Sequence, residues 1–125
     1  MAYKIPTLSP PAPGSITAFT MNNLSAASTG TYTLTTISSG TFVPFACMLT
    51  FVTGFGTPAQ IAVGTSTAPN GIGQATLLFL NTNRSVNMIG ANQAILNITS
   101  GQSIIVTVQT AQPQTFNIAV VGYYI

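Results

Sequence analysis

The sequence predicts an all-β fold: an antiparallel β-sandwich, jelly-roll-like, preceded by an extended Pro-rich N-terminal arm. Three observations predict it. Threonine, which is β-branched and favours strands, is the most abundant residue, while charged helix formers are nearly absent. Short apolar-alternating runs recur along the chain, separated by Gly, Pro, Asn and Ser turn signals. No window sustains helical periodicity, and no fixed-period repeat suggests a solenoid. At 125 residues one folded unit is the expectation, with the arm over residues 1–15 and the sandwich over 16–125.

The arm reads MAYKIPTLSPPAPGS. Pro6, Pro10, Pro11 and Pro13 favour polyproline-like backbone and withhold the donors that a central strand needs. Tyr3, Ile5 and Leu8 are its apolar handles, and Lys4 is its one charge. These four are candidate contacts with a partner, because a stiff arm loses little entropy when it docks.

The first strand is expected over residues 16–21, interrupted by Asn22-Asn23 and the small residues that follow. The second covers 31–37, with Tyr32 and Leu34 on one face and Thr31, Thr33 and Thr35 on the other. Ser38-Ser39-Gly40 is a turn. The third and longest strand is 41–53. Pro44 must sit at an edge or a bulge there, and the run 45–52 reads as buried on both faces or covered by a neighbour. Gly54 to Pro58 breaks the chain.

A fourth strand spans 59–64. The loop 65–74 carries the turn signal Pro69-Asn70-Gly71. A fifth strand is expected at 75–80 and a polar turn with Arg84 at 81–85. A short sixth strand follows at 86–89, a helical turn near 90–93 and a seventh strand at 94–98. Thr99-Ser100-Gly101-Gln102 reads as a hairpin turn into the eighth strand, 104–110, where Ile104, Val106 and Val108 share a face. After the turn 111–114 the ninth strand, 115–125, points Phe116, Ile118 and Val120 inward and Asn117 outward.

Composition then bounds function. Charged residues are 2% of the chain, against about 25% in ordinary soluble proteins, and there is no Asp, Glu or His. No side chain can serve as a carboxylate or imidazole base, or as a carboxylate metal ligand. The serines have no general base, and Lys4, in the arm, lacks the burial that depresses a catalytic lysine. An enzyme is therefore not expected, and neither is a cofactor or a metal site. The single Cys47 lies in an apolar run and reads as a small buried hydrophobe. The glycine clusters 54–56 and 71–73 lack the lysine of a phosphate-binding loop and read as turns.

Two cations can neutralise about two phosphates, too few for useful nucleic-acid affinity. The longest apolar stretch, 42–52, is too short to span a bilayer. Proline interrupts the N-terminus where a signal peptide would need its apolar core. The expectation is a protein made in the cytoplasm, with no membrane partner. Three Asn-x-Ser/Thr triplets begin at Asn23, Asn83 and Asn97, about as many as chance supplies. The Thr31-x-Thr33-x-Thr35 ladder is read as a solubilising face rather than an ice-binding one. With near-zero net charge the surface favours association. Arg84 has no side-chain carboxylate in its own chain to pair with, so it is a candidate contact with acidic groups on another protein.

Four stretches resemble the small β-sandwich virion proteins of tailed phages: Thr41-Phe42-Val43-Pro44-Phe45, Ile61-Ala62-Val63-Gly64-Thr65, Ser100 through Val108, and Phe116 through Tyr124. The resemblance covers about three-quarters of the chain. It implies a capsid decoration (cement) protein on the exterior of a virion made in the host cytoplasm. It implies association with the major capsid protein and a homo-oligomer, most often a trimer. The alternative within the resemblance is a tail-fibre or receptor-binding head that binds a host glycan through exposed aromatics such as Phe55, Tyr123 or Tyr124. The missing acidic residues depart from the usual composition of such proteins.

Overall fold

A computed structural model describes residues 12–53, 59–77, 85–87 and 96–125. They form nine strands: β1 (Ile16–Ser25), β2 (Gly30–Thr36), β3 (Thr41–Thr53), β4 (Ala59–Gly64), β5 (Gly73–Leu77), β6 (Ser85–Asn87), β7 (Ile98–Thr99), β8 (Ser103–Thr110) and β9 (Thr115–Tyr124). One sheet has the order β1-β9-β3-β6, with β7 also pairing β3; the other has β2-β8-β4-β5. Every pairing is antiparallel. Leaving β7 aside, the chain passes from one sheet to the other at most connections and closes β1 against β9. That is the jelly-roll-like path of a two-sheet sandwich.

The core follows from period-two alternation. On β9, Phe116, Ile118, Val120 and Tyr124 are buried, and on β8 Ile104, Val106 and Val108 are. With Phe42, Cys47 and Leu49 of β3 and Ile61 and Val63 of β4 they form one cluster between the sheets. Phe42 is its aromatic hub, edge-on to Phe19 at 5.2 Å and to Tyr124 at 5.4 Å between ring centroids. Tyr32 meets Phe116 edge-on at 6.4 Å, and its hydroxyl donates to the Ser25 carbonyl at 2.7 Å. Gln114 is buried with no hydrogen-bond partner for either side-chain amide atom among the described residues. Such a group costs about 1–3 kcal/mol.

Bulges account for most departures from the sequence reading. β1 does not stop at Met21. The register moves from Met21↔Ile118 to Leu24↔Phe116, three steps against two. Asn23 takes φ 57°, which asparagine tolerates better than most residues. Its N–H donates to Asn117 Oδ1 at 2.8 Å, and beyond it Leu24 turns into the core. A second bulge falls where Pro44 demanded one: Pro44↔Gly122 is followed by Ala46↔Val121. Phe45 is the extra residue and is 47% exposed. The run after Pro44 is therefore not buried on both faces. Cys47 and Leu49 point inward, while Ala46 and Met48 are half-buried on the other side. A third bulge, between Thr33 and Thr35, breaks the threonine ladder and leaves Thr35 half-buried.

The later strands are shifted: β5 (Gly73–Leu77) begins two residues before the expected start, β6 (Ser85–Asn87) one before, and β7 is Ile98–Thr99 with 96–97 outside it; the expected spans 78–80, 88–89 and 94–95 lie outside the described residues. The turn at 99–102 is present, with Gln102 N–H donating to the Thr99 carbonyl at 3.1 Å and Gly101 at φ 90°. It does not close a hairpin, because β7 pairs β3 whereas β8 pairs β2 and β4. A turn signal specifies a local reversal and is silent on whether the chain stays in its sheet.

Gly122 shows how tightly β9 and β3 are apposed. A Cβ there would lie 2.8 Å from Pro44 Cα and closer still to the Val43 carbonyl oxygen and Phe42 Cζ. Two of these three atoms are backbone, which cannot swing aside. Gly122→Ala is expected to destabilise the fold by about 1–3 kcal/mol, read as a lower urea midpoint at unchanged m-value. An unchanged midpoint would show that β3 and β9 can separate at no cost.

Candidate functional site

The described residues contain no charged side chain, because Lys4 and Arg84 lie outside them. Tyr3, Ile5, Leu8 and Phe55 also lie outside them, as do the expected chain break at 54–58, the helical turn near 90–93 and the polar turn at 81–85 except Ser85, which opens β6. The candidate partner contacts of the sequence reading are thus not placed by the structure. What it does place is a surface that the reading missed.

That surface is the outer face of the β1-β9-β3 sheet. Registers align it in rows: Ile16–Tyr123–Val43, with Val43 itself covered, then Ala18–Val121–Ala46, then Thr20–Ala119–Met48, then Asn117–Thr50. These are the residues left facing out once Phe19, Met21, Phe42, Leu49, Phe116, Ile118 and Val120 face the core. The first three rows are apolar apart from Thr20 and the Tyr123 hydroxyl. A sheet with one wet face normally alternates apolar with polar residues; this face departs from that pattern, and Ala46, Met48, Ala119, Val121 and Tyr123 along it are half-buried.

Its exposed corner is aromatic. The Phe45 bulge lays its ring on Tyr123, with centroids 6.3 Å apart and planes at 26°. Ile16 and Ile125, 71% and 60% exposed, flank the pair. Tyr124, the other aromatic considered for a glycan site, is instead a core residue, since period two puts it on the opposite face from Tyr123.

The outer face of the other sheet differs. Thr31 pairs Thr107, Thr36 pairs Ser103 and Thr33 pairs Ile105, and Thr36 Oγ1 meets Ser103 Oγ at 2.7 Å. Hydroxyls solvate this side where charge is missing. Neither face offers acid–base chemistry. Burial pushes the Cys47 thiol up to about 12, the opposite of what a nucleophile needs.

Two solved structures share this fold. One is a chain of the acidic stable capsid structure of Helicobacter pylori bacteriophage KHP30, 15% identical, with a TM-score of 0.59 over 90% of this chain and 88% of that one. The other is a chain of the cyanophage Pam1 capsid asymmetric unit, 12% identical, with a TM-score of 0.53 over 98% of this chain and 94% of that one. No family model and no curated protein matches the sequence. The likeness extends over nearly the whole length of both neighbours, so it concerns the complete sandwich and not one sheet of it.

Proposed function

We propose that this chain is a non-enzymatic structural protein of a phage virion. In this reading it decorates the capsid exterior, stabilises contacts between capsomers and associates with the major capsid protein. It works as a homo-oligomer, with a trimer favoured, after synthesis in the host cytoplasm. The observation that carries the reading is the whole-length fold likeness to chains of two phage capsids. The apolar outer face of the β1-β9-β3 sheet supports it, because a lattice protein held without charge needs neutral surface to bury. Area alone does not set affinity, but many weak contacts on one particle add avidity.

In this mechanism Tyr3, Ile5 and Leu8 anchor the arm, and Lys4 and Arg84 meet carboxylates on the capsid protein, since no copy of this chain has a side-chain carboxylate to offer. Cryo-electron microscopy of purified particles tests the reading: density for the sandwich belongs over the shell at capsomer boundaries. Density confined to the tail tip would transfer the chain to the host-binding class. Deleting residues 1–11 is expected to leave the melting temperature within a few degrees. Retention on particles should fall roughly 10- to 100-fold, the scale of losing one or two buried apolar anchors. Unchanged retention would remove the arm from the mechanism.

A further inference from the structure

Among the described residues one sheet ends on β1 and β6 and the other on β2 and β5. These edges are unequal. β6 has 3 residues and β5 has 5, while β2 has 7 with a bulge inside it. β1 has 10. The hydrogen bonds around β9 give the direction of its peptides. Tyr124 N–H donates to the Ser15 carbonyl at 3.1 Å on the β1 side, and Ile125 N–H donates to the Thr41 carbonyl at 3.0 Å on the β3 side. Antiparallel bonds alternate along a strand, so the even-numbered residues of β9 bond to β1. Thr17, Phe19 and Met21, in register with Gly122, Val120 and Ile118, are their partners. The N–H and C=O groups of Ile16, Ala18 and Thr20 therefore point away from β9, out of the sheet, and all three residues are exposed. Natural edges are blunted by charge, proline or shortness. The run from Ile16 to Met21 has neither charge nor proline. Gly14 at φ 84° precedes it and the Asn23 bulge at φ 57° follows it, which bounds the flat edge. Phe19 and Met21 pack on the core from this edge yet stay half-buried.

We infer that the β1 edge pairs with the β1 edge of a second copy of this chain, antiparallel across a two-fold axis centred on Ala18. Outward donors and acceptors that alternate along an edge are satisfied by an added extended strand. Three arguments make that strand β1 itself. The first is self-complementarity, which a two-fold contact requires. The outward residues of the regular run, Ile16, Ala18 and Thr20, are symmetric about Ala18. The axis sets Ile16 opposite Thr20 of the second copy and Ala18 opposite Ala18, and each such pair exchanges both N–H···O=C bonds. The second is charge. A two-fold brings the central side chain against its own copy, where like charges are destabilising; Ala18 has neither charge nor bulk, and no residue of β1 is charged. A charged strand from another protein would find no counter-charge on this edge. The third is coverage. The register places Thr17 beside Phe19 of the second copy, so each copy covers the half-buried ring of the other. The chain's own arm is a poorer strand for the purpose, because Pro6, Pro10 and Pro11 lack donors. The pairing goes beyond the capsid reading and stands whether or not a capsid receives the chain. It is also compatible with a trimer, since three-fold assemblies can meet one another across two-fold axes.

The test uses the isolated full chain in solution. Sedimentation velocity is expected to show copies pairing, dimer from monomer or hexamer from trimer, as concentration rises to about 0.5 mM, enough to populate a sub-millimolar pair. In a sample mixing isotope-labelled and unlabelled chains, filtered NMR is expected to show a contact between the Thr17 Hα of one copy and the Phe19 Hα of the other. Such non-bonded pairs lie about 4.5 Å apart at Cα. Ala18→Pro removes only an outward N–H, which an edge strand tolerates. Its melting temperature should stay within about 5 °C, while the dissociation constant of the pair rises roughly 10-fold or more. Ala18→Lys sets two ammonium groups opposite each other and should separate the copies at low salt and let them pair again at high salt. Copies that stay unpaired up to that concentration would overturn the inference. So would pairs that lack the Thr17–Phe19 contact, or pairing that Ala18→Lys leaves unchanged.

Discussion

Phe42→Ala is expected to lower the unfolding free energy by about 4 kcal/mol, within the usual range for a buried phenylalanine. Phe42 is fully buried at the first end of β3, and four strands converge there. It pairs Ile98 of β7 and Tyr124 of β9 in register, and its ring meets those of Phe19 and Tyr124 edge-on. Truncation removes the transfer energy of the ring and both aromatic contacts. It also opens a cavity that cannot collapse easily, because Gly122 already holds β9 against Val43 and Pro44. The melting temperature should fall by roughly 12–20 °C for a chain of this size. A loss below about 2 kcal/mol would mean that the sheets close over the gap, and that the aromatic hub does not set their spacing.

That hub shows what the sequence could and could not disclose. The inward faces of β8 and β9 were legible because period two is local: Ile104-x-Val106-x-Val108 and Phe116-x-Ile118-x-Val120 need no knowledge of partners. The span of β3 and the bulge at Pro44 were legible too, since a proline without a donor inside a long strand leaves few alternatives. Pairing was not legible. β1 closes on β9 across the length of the chain, and no short-range signal encodes that. The crossing at 99–102 was misread as a hairpin for the same reason. The apolar outer face was hidden by parity. On β9 the outward residues Ala119, Val121 and Tyr123 are themselves apolar, so finding the inward face did not disclose that the outward one would align with the apolar residues of β1 and β3, which the register alone reveals. The Phe45 bulge changes parity within one strand, which sequence periodicity cannot register.

Stability is expected to stay flat in acid and to fall in alkali, an inversion of ordinary behaviour to whose alkaline arm Cys47 contributes. Acid unfolding normally proceeds through carboxylates and histidines whose affinity for protons differs between folded and unfolded chains. With no Asp, Glu or His, the two states bind equal numbers of protons from roughly pH 3 to 8, chain termini aside, and the slope of stability with pH vanishes. A melting temperature more than about 10 °C lower at pH 3 than at pH 7 would contradict this. Above pH 9 the balance changes. Burial raises the Cys47 thiol from 9.0 to about 12, so the unfolded chain releases a proton that the folded chain retains. The folded state then binds more protons, and stability falls as pH rises from the unfolded value toward the folded one. At about 1.36 kcal/mol per unit, the loss is on the order of 3 kcal/mol by pH 11 and levels off as the folded thiol itself begins to ionise near pH 12. Cys47→Ala should start less stable, because it leaves a small cavity beside Val120, yet lose less as the pH climbs. Everything else that ionises in alkali is common to both proteins, so the difference between their profiles isolates the thiol. Parallel profiles between pH 8 and 11 would mean that water reaches Cys47 and that the sandwich is not closed around it.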